Sequence, residues 1–120
     1  MSETPRDKSL FERIADREIP ANVVAETDRV IAFHDIAPKA PLHVIVTPKR
    51  GDFANVVELA AGDPALLAEV VAVANQVAAA HANGEFRLIF NSGESAGQTI
   101  FHVHAHVLAG GLDEGSLANA

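Results

Sequence analysis

The chain of 120 residues and 12.6 kDa has room for one domain, and its 48% hydrophobic and 21% charged residues are typical of a sequence that folds. The absence of cysteine excludes a disulfide framework, a thiolate metal site and a thiol nucleophile. A net charge of −7 with nine Lys and Arg argues against a nucleic-acid partner, and the polar opening stretch predicts neither a signal peptide nor a membrane anchor, so a cytoplasmic location is expected.

The first half of the chain predicts one helix and three strands. We expect a single domain over 1–120, with its core at about 9–111 and flexible tails at 1–8 and 112–120. Ser9 and Glu12 form a capping box that predicts a short helix over about 10–17. The strands are expected at 22–26, 30–34 and 43–49.

The second half predicts two helices and two further strands. A short helix is expected over 52–60, and Asp63 followed by Pro64 predicts a long helix that ends at Gly84. Strands at 85–91 and 98–110 enclose a glycine-bearing loop. The predicted fold class is α+β, a five-stranded, mainly antiparallel sheet with two to three helices.

The long helix is apolar around most of its circumference. Glu69, Gln76 and Asn83 recur every seven residues and define one narrow polar stripe. A helix that packs on one face of a sheet needs a narrower apolar arc. Two interpretations follow: the helix is buried within its own domain, or it carries a self-associating surface.

The most informative segment is FHVHAHVL, residues 101–108. On a strand, His102, His104 and His106 all project from one face, and the residues between them are predicted to face the core. Packing does not explain three imidazoles in this register, because each needs a donor and an acceptor. The residues predicted on the core side are Phe101, Val103, Ala105 and Val107.

Two kinds of chemistry suit such a cluster. For a metal site, the outer histidines lie about 13 Å apart at Cα, so a complete site needs His43 or Asp35 as well. For nucleophilic catalysis at phosphorus, a neutral imidazole attacks while nearby dipoles stabilise the phosphoryl oxygens. The loop over 91–99 precedes the histidine strand and could turn backbone N–H groups toward a phosphate.

The stretch IFHVHAHVLAGG resembles the signature of the histidine triad (HIT) superfamily, and specifically its Hint branch of purine nucleoside phosphoramidases. The stretches LFERIADREIPANVV and RVIAFHDIAPKAPLHVIVTPK are similar to the first helix and strands of that branch. The resemblance covers about residues 10–111 and implies the HIT-like fold.

The resemblance also implies roles for individual residues. His104 corresponds to the nucleophile that takes the nucleotidyl group, and His106 to the residue beside the scissile bond. His102 and His43 correspond to positions that orient the nucleophile. Asp35 corresponds to the carboxylate that accepts both ribose hydroxyls.

Two further groups of residues are implied by the same resemblance. The phosphate-contacting positions are Asn91, Gly97, Gln98 and Thr99. The apolar slot for the purine corresponds to Leu10, Phe11, Ile14, Ile19, Phe33 and Ile36. The remaining histidines, His34 and His81, are interpreted as structural or surface residues.

The implied function is hydrolysis of nucleoside 5′-phosphoramidates and related adenylates to AMP through a nucleotidyl-histidine intermediate. The expected partners are a purine nucleotide substrate and a second copy of the chain, joined through the long helix and an edge strand. No cofactor is required, and a bound zinc or other divalent metal is not expected. The alternatives are a dinucleoside polyphosphate hydrolase or nucleotidyl transferase of the same superfamily, a non-catalytic purine nucleotide-binding module, and a metal-binding protein.

Overall fold

A computed structural model describes residues 7–114 and confirms the predicted fold class. Five strands and three α-helices follow one another in the order given by the sequence analysis. Their bounds are α1 Leu10–Ala15, β1 Val23–Glu26, β2 Val30–His34, β3 Leu42–Pro48, α2 Val56–Gly62, α3 Pro64–His81, β4 Arg87–Phe90 and β5 Ala105–Ala109, with a 3₁₀ turn at Glu94–Ala96.

The predicted tails fall partly outside the described residues, at 1–6 and 115–120. The described parts of both tails make contacts. Lys8 forms an ion pair with Asp16 at 2.9 Å. At the other end, Arg87 donates to the backbone carbonyl of Asp113 at 2.6 Å. These contacts lie just outside the predicted core of 9–111.

The strands form one antiparallel sheet in the order β1-β2-β3-β5-β4. β3 and β5 are neighbours, with Ile45 opposite His106 and Val46 opposite Ala105. On the other side of β5, Phe90 of β4 pairs with Ala105. This order places the histidine-bearing strand inside the sheet, between β3 and the edge strand β4.

The helices begin at side-chain caps. The Ser9–Glu12 capping box starts α1, which ends at Ala15, two residues before the predicted end. Asn55 caps α2, which therefore begins at Val56 and not at residue 52. The Asp63 carboxylate and Pro64 start α3 as predicted, but α3 ends at His81 because the backbone becomes extended at the next residue.

The two faces of the sheet bury different groups. α3 packs on one face, and the buried residues there include Val30, Ala32, Val44, Val46, Val70, Val73, Val77, Val103, Ala105 and Val107. A smaller cluster on the other face joins α1 to β2 and consists of Phe11, Ile14, Ile31 and Phe33. The sheet therefore separates a large α3 core from a smaller cluster under α1.

Only part of the apolar surface of α3 is used inside the domain. Leu66, Val70 and Val77 are buried, whereas Val71 is 40% exposed. α3 is also the one helix among residues 7–114 that is long and apolar enough to cross a membrane, with 33% of that stretch buried. A helix packed on a protein core meets the same criterion, so this property alone is weak evidence for a membrane span.

The last strand is shorter than predicted. It was expected over 98–110, but its ladder begins at Ala105. Val103 instead donates its N–H to the carbonyl of Phe53 at 2.9 Å, and its carbonyl accepts from Thr47 Oγ1 at 2.8 Å. Phe101 precedes the ladder and is 56% exposed, so the prediction that it faces the core is wrong. His102 and His104 thus precede the β5 ladder, on a segment that hydrogen bonds to Thr47 and Phe53 hold in place.

Candidate active site

His102 is a buried imidazole with both ring nitrogens occupied. Its Nε2 lies 2.7 Å from the carbonyl oxygen of Pro48, and its Nδ1 lies 2.5 Å from Ser9 Oγ. Because a carbonyl oxygen only accepts, Nε2 carries the proton and Nδ1 accepts from the serine hydroxyl. His102 is 1% exposed, so its ring fixes the segment that carries the triad.

His104 has one nitrogen committed and one available. Its Nδ1 donates to the backbone carbonyl of His102 at 2.9 Å, which leaves the lone pair on Nε2. The ring centroid lies 4.8 Å from that of Phe11. Burial lowers the pKa of His104 below 6.5, which favours the neutral form at neutral pH. A neutral imidazole with a lone pair on Nε2 is suited to nucleophilic attack.

His43 and His106 form a hydrogen-bonded pair across β3 and β5. The Lys39 backbone N–H donates to His43 Nδ1 at 2.9 Å, so His43 carries its proton on Nε2. That proton is donated to His106 Nδ1, also at 2.9 Å. His106 therefore carries its own proton on Nε2. Burial, with lesser effects of His104 and His43, lowers the pKa of His106 to about 4.

Asp35 follows β2 and lies beside this pair. Its Oδ1 accepts the Ala37 backbone N–H at 2.8 Å, and its Oδ2 lies 3.4 Å from His43 Nε2. Burial lowers the pKa of His43, although the Asp35 charge opposes the shift. The Asp35 carboxylate thus lies beside the imidazoles. One of its oxygens accepts the Ala37 N–H, and the other faces His43.

Asp35, His43 and His106 also lie close enough together to hold a metal ion, since their ligand atoms are within 4.8 Å of one another. A neutral His43 that bound a metal through Nε2 would carry its proton on Nδ1. That proton would point at the Lys39 N–H, which already donates to Nδ1. Two hydrogen-bond donors would then face each other, which is unfavourable. The hydrogen bonding of His43 therefore disfavours a metal at this site.

An apolar cavity of about 360 Å³ opens beside Asp35. All six residues of the predicted purine slot line it, and Ile36 is fully exposed at its edge. Six further lining residues were not assigned to the slot from the sequence: Pro20, Ala21, Asn22, His34, Ile45 and Ile100. Ile45 could have been found, because it shares a face of β3 with His43 at a spacing of two residues.

The loop before the triad carries the predicted phosphate-contacting positions. Gly93 and Gly97 have φ values of 95° and 96°, which favour glycine, and Thr99 is exposed. Asn91 follows Phe90, the partner of Ala105, and so lies level with His104. Asn91 and Thr99 remain available for the predicted contact, whereas the Gly97 N–H already donates to the Glu94 carbonyl at 3.0 Å.

Gln98 differs from its predicted role. Its side chain is 2% exposed. Its Oε1 accepts from Gly93 N–H at 2.8 Å, and its Nε2 donates to the carbonyls of Ala54 and Ile100 at 2.5 and 3.0 Å. Because both amide hydrogens are used, the side chain braces the loop and has no donor to offer a phosphate.

Sequence reasoning missed the contacts that orient the histidines. Ser9 was interpreted as a helix cap alone, yet it also contacts His102. Thr47 shares a face of β3 with His43, and this spacing could have drawn attention to it. The Lys39 and Pro48 groups belong to the backbone and leave no side-chain signal.

His34 and His81 lie apart from the triad. Their ring centroids are 6.3 Å apart, where the end of β2 meets the end of α3. Neither ring takes part in the hydrogen bonds of the triad that are described above.

The fold and the site together define a histidine triad domain. Three alternating histidines lie on an inner strand and the segment just before it, a fourth lies on the neighbouring strand, and a carboxylate lies at the mouth of an apolar cavity. The family described as scavenger mRNA decapping enzyme C-terminal binding matches residues 8–120. An uncharacterized HIT-like protein of Synechococcus elongatus is 40% identical over 105 residues, which cover 87% of this chain and 91% of that protein. The chain belongs to the HIT family.

Solved structures agree with this assignment. A HIT family hydrolase from Clostridium thermocellum is 41% identical, with a TM-score of 0.82 and coverage of 92% of this chain and 96% of that one. A HIT family hydrolase from Legionella pneumophila is 39% identical, with a TM-score of 0.80 and coverage of 88% and 94%. A histidine triad nucleotide-binding protein from Candida albicans is 25% identical, with a TM-score of 0.74 and coverage of 82% and 72%.

Proposed function

We propose that this protein is a nucleotide-binding hydrolase of the Hint type that cleaves nucleoside 5′-phosphoramidates and related adenylates to AMP. The observation that carries the proposal is the hydrogen bond from His104 Nδ1 to the His102 carbonyl, which leaves an Nε2 lone pair on a neutral ring. The names of the solved relatives, HIT family hydrolases and a histidine triad nucleotide-binding protein, support the same class.

The nucleotide would bind across the cavity and the triad. The purine fits the apolar cavity, which Phe11 joins to the His104 ring. The Asp35 carboxylate can accept the two ribose hydroxyls at the cavity mouth, since one carboxylate has lone pairs for both. Asn91 and Thr99 are then the candidates for contacts with the α-phosphate.

The first chemical step forms a bond from His104 Nε2 to the α-phosphorus and breaks the phosphorus–nitrogen bond. The leaving amine takes the electron pair of that bond and needs a proton. His106 presents its Nε2–H as the donor, because its Nδ1 already accepts from His43. When His106 gives up that proton, its ring is left one proton short until the second step restores it.

The second step releases AMP. Water attacks the phosphorus, the bond to His104 Nε2 breaks, and the imidazole recovers its lone pair. One proton of the water goes to His106 and replaces the one lost to the amine, and the oxygen stays on the phosphate. The scheme uses imidazoles and backbone dipoles, so we propose that no metal or other cofactor is required.

We also propose that the protein acts as a homodimer. The outward face of α3 is largely apolar but not buried within the domain, and Val71 is the large hydrophobic side chain exposed on it. β4 is an edge strand with half-buried residues throughout. A second copy of the chain would cover both surfaces.

The substitution His104→Ala tests the nucleophile. We expect turnover of an adenosine phosphoramidate to fall by more than about 1,000-fold, because no other group on this segment replaces the attacking nitrogen. His81→Ala, which removes an exposed imidazole outside the triad, is the matched control and should keep the wild-type rate. Release of AMP is followed by chromatography. Full turnover by the His104→Ala variant would show that the nucleophile is assigned wrongly.

A substrate panel tests the type of hydrolase. We expect a higher kcat/KM for an adenosine phosphoramidate than for a diadenosine polyphosphate. The reverse order would favour the dinucleoside polyphosphate hydrolase. Tight AMP binding with no turnover of either substrate would favour a nucleotide-binding module.

A further inference from the structure

We infer that Ser9, the residue that caps α1, is also a positioning residue for the nucleophile, acting through His102. The inference rests on the proposed role of His104. Ser9 does not reach the reacting atoms in this scheme. Its effect is transmitted by two hydrogen bonds, from Ser9 to the His102 ring and from the His104 ring to the His102 carbonyl.

The direction of the Ser9 contacts is fixed by their partners. The Glu12 backbone N–H donates to Ser9 Oγ at 3.0 Å, so the hydroxyl oxygen accepts there. The hydroxyl hydrogen remains for His102 Nδ1, 2.5 Å away. One side chain thus satisfies both the first turn of α1 and a histidine 93 residues further along the chain.

His102 needs that hydroxyl because it has no alternative tautomer. Its Nε2–H is committed to the Pro48 carbonyl, so Nδ1 has to accept. The ring is 1% exposed, so water does not replace the serine without a local opening. Removal of the hydroxyl would take away the Ser9 donor to a buried acceptor, which favours a shift of the ring or entry of water.

A shift of His102 would be felt directly at His104. The His102 carbonyl is the acceptor that holds the His104 proton on Nδ1. This segment precedes the β5 ladder, so strand pairing does not hold the carbonyl in place. If the carbonyl moves, His104 can take the other tautomer, with its proton on Nε2 and no lone pair for attack.

The test separates helix capping from positioning. Ser9→Gly retains most of the capping preference, because glycine is accepted at an N-cap, but it has no hydroxyl to donate to His102. Ser9→Thr restores a hydroxyl. Asp63→Ala removes the cap of α3 and serves as a control for the loss of a helix cap away from the triad. The readouts are kcat and KM for an adenosine phosphoramidate and the ring ¹⁵N chemical shifts of His104.

For Ser9→Gly we expect kcat to fall by about tenfold, since a small misplacement of a reacting group has a large effect on rate. KM should change less than kcat, and the His104 ¹⁵N shifts should move toward a mixture of tautomers. Ser9→Thr and Asp63→Ala should keep wild-type kcat and wild-type His104 shifts. A folded Ser9→Gly variant with wild-type kcat and unchanged His104 shifts would overturn the inference. His104→Ala tests the proposed function separately, because its result does not depend on Ser9.

Discussion

The imidazoles His43, His104 and His106 are held neutral by their surroundings. Burial lowers the pKa of each, and that of His106 falls to about 4. Each ring also has a hydrogen-bond partner that fixes which nitrogen carries the proton. The site is therefore prepared with one lone pair at His104 and one N–H at His106 before any substrate arrives.

This neutrality predicts a loss of stability in acid. In the unfolded chain the histidines titrate near 6.5, so below that pH the unfolded state binds more protons than the folded state. The free energy of unfolding should thus be fully retained above about pH 6.5 and fall as the pH drops toward about 4. His106 alone should account for about 1–2 kcal/mol, once the solvent-exposed part of its ring is discounted.

Urea denaturation at pH 7.5, 6.0 and 5.0 measures this dependence. His106→Gln should show a flatter decline over the same range, because its amide does not titrate. A wild-type stability that stays constant or rises toward pH 5 would contradict the lowered pKa values.

At the scale of elements, strand β5 depends on how the chain turns at its end. Gly110 follows β5 with a φ of 100°, and a Cβ there would lie 3.1 Å from the side chain of Pro41. Gly84 has a similar φ of 89°, but a Cβ would meet nothing within 4 Å. An alanine at either position would therefore adopt the same strained positive φ. Only at Gly110 would its methyl group also crowd a neighbouring side chain.

Alanine at each position separates these effects. Gly84→Ala should cost about 1 kcal/mol of unfolding free energy through the positive φ alone. Gly110→Ala should cost about 1–2 kcal/mol more, because the methyl group crowds Pro41. Both values come from chemical denaturation. Equal losses for the two variants would show that Pro41 moves aside freely.

Sequence reasoning was most successful where local signals decide the structure. β2 was predicted with the right bounds from its apolar run, and the Asp63–Pro64 pair marked the start of α3. The sequence over 98–110 suggested one long strand, but pairing with β3 begins at Ala105. Tertiary contacts decided that boundary, because the Thr47 hydroxyl donates a hydrogen bond to the Val103 carbonyl in place of a strand neighbour.

The candidate site was predictable in composition and less so in arrangement. A spacing of two residues placed the histidines together, and the resemblance supplied His43 and Asp35. The tautomers, however, depend on the backbone groups of Lys39 and Pro48, which no residue type reveals. Gln98 was expected to contact the phosphate, but its side chain hydrogen-bonds to the backbone of its own loop at Gly93 and Ile100.

At the scale of the whole molecule, the sheet separates the candidate active site from the helix proposed for dimer contacts. The triad, Asp35 and α1 lie toward one face, and α3 covers the other. The proposed dimer surface on α3 and β4 is therefore distinct from the apolar cavity beside Asp35.

A charge on the outer face of α3 tests the dimer. Val71→Glu should convert a dimer into a monomer, because two carboxylates would be buried against apolar side chains. Val57→Glu, at an exposed position on α2, is the control and should leave the dimer intact. Analytical ultracentrifugation measures the mass. A monomeric wild-type protein, or a Val71→Glu variant that stays dimeric, would exclude this surface.

The short ladder of β5 has a consequence for local motion. The backbone on either side of His104 is held by three separate hydrogen bonds, to the Thr47 hydroxyl, the Phe53 carbonyl and the His104 ring. From Ala105 onward, in contrast, β5 pairs continuously with β3. Such a segment can unfold locally as a small cooperative unit while the five-stranded sheet stays folded. Amide protons at Val103 would then exchange with deuterated solvent earlier than those at Val107, and nucleotide binding would slow that exchange.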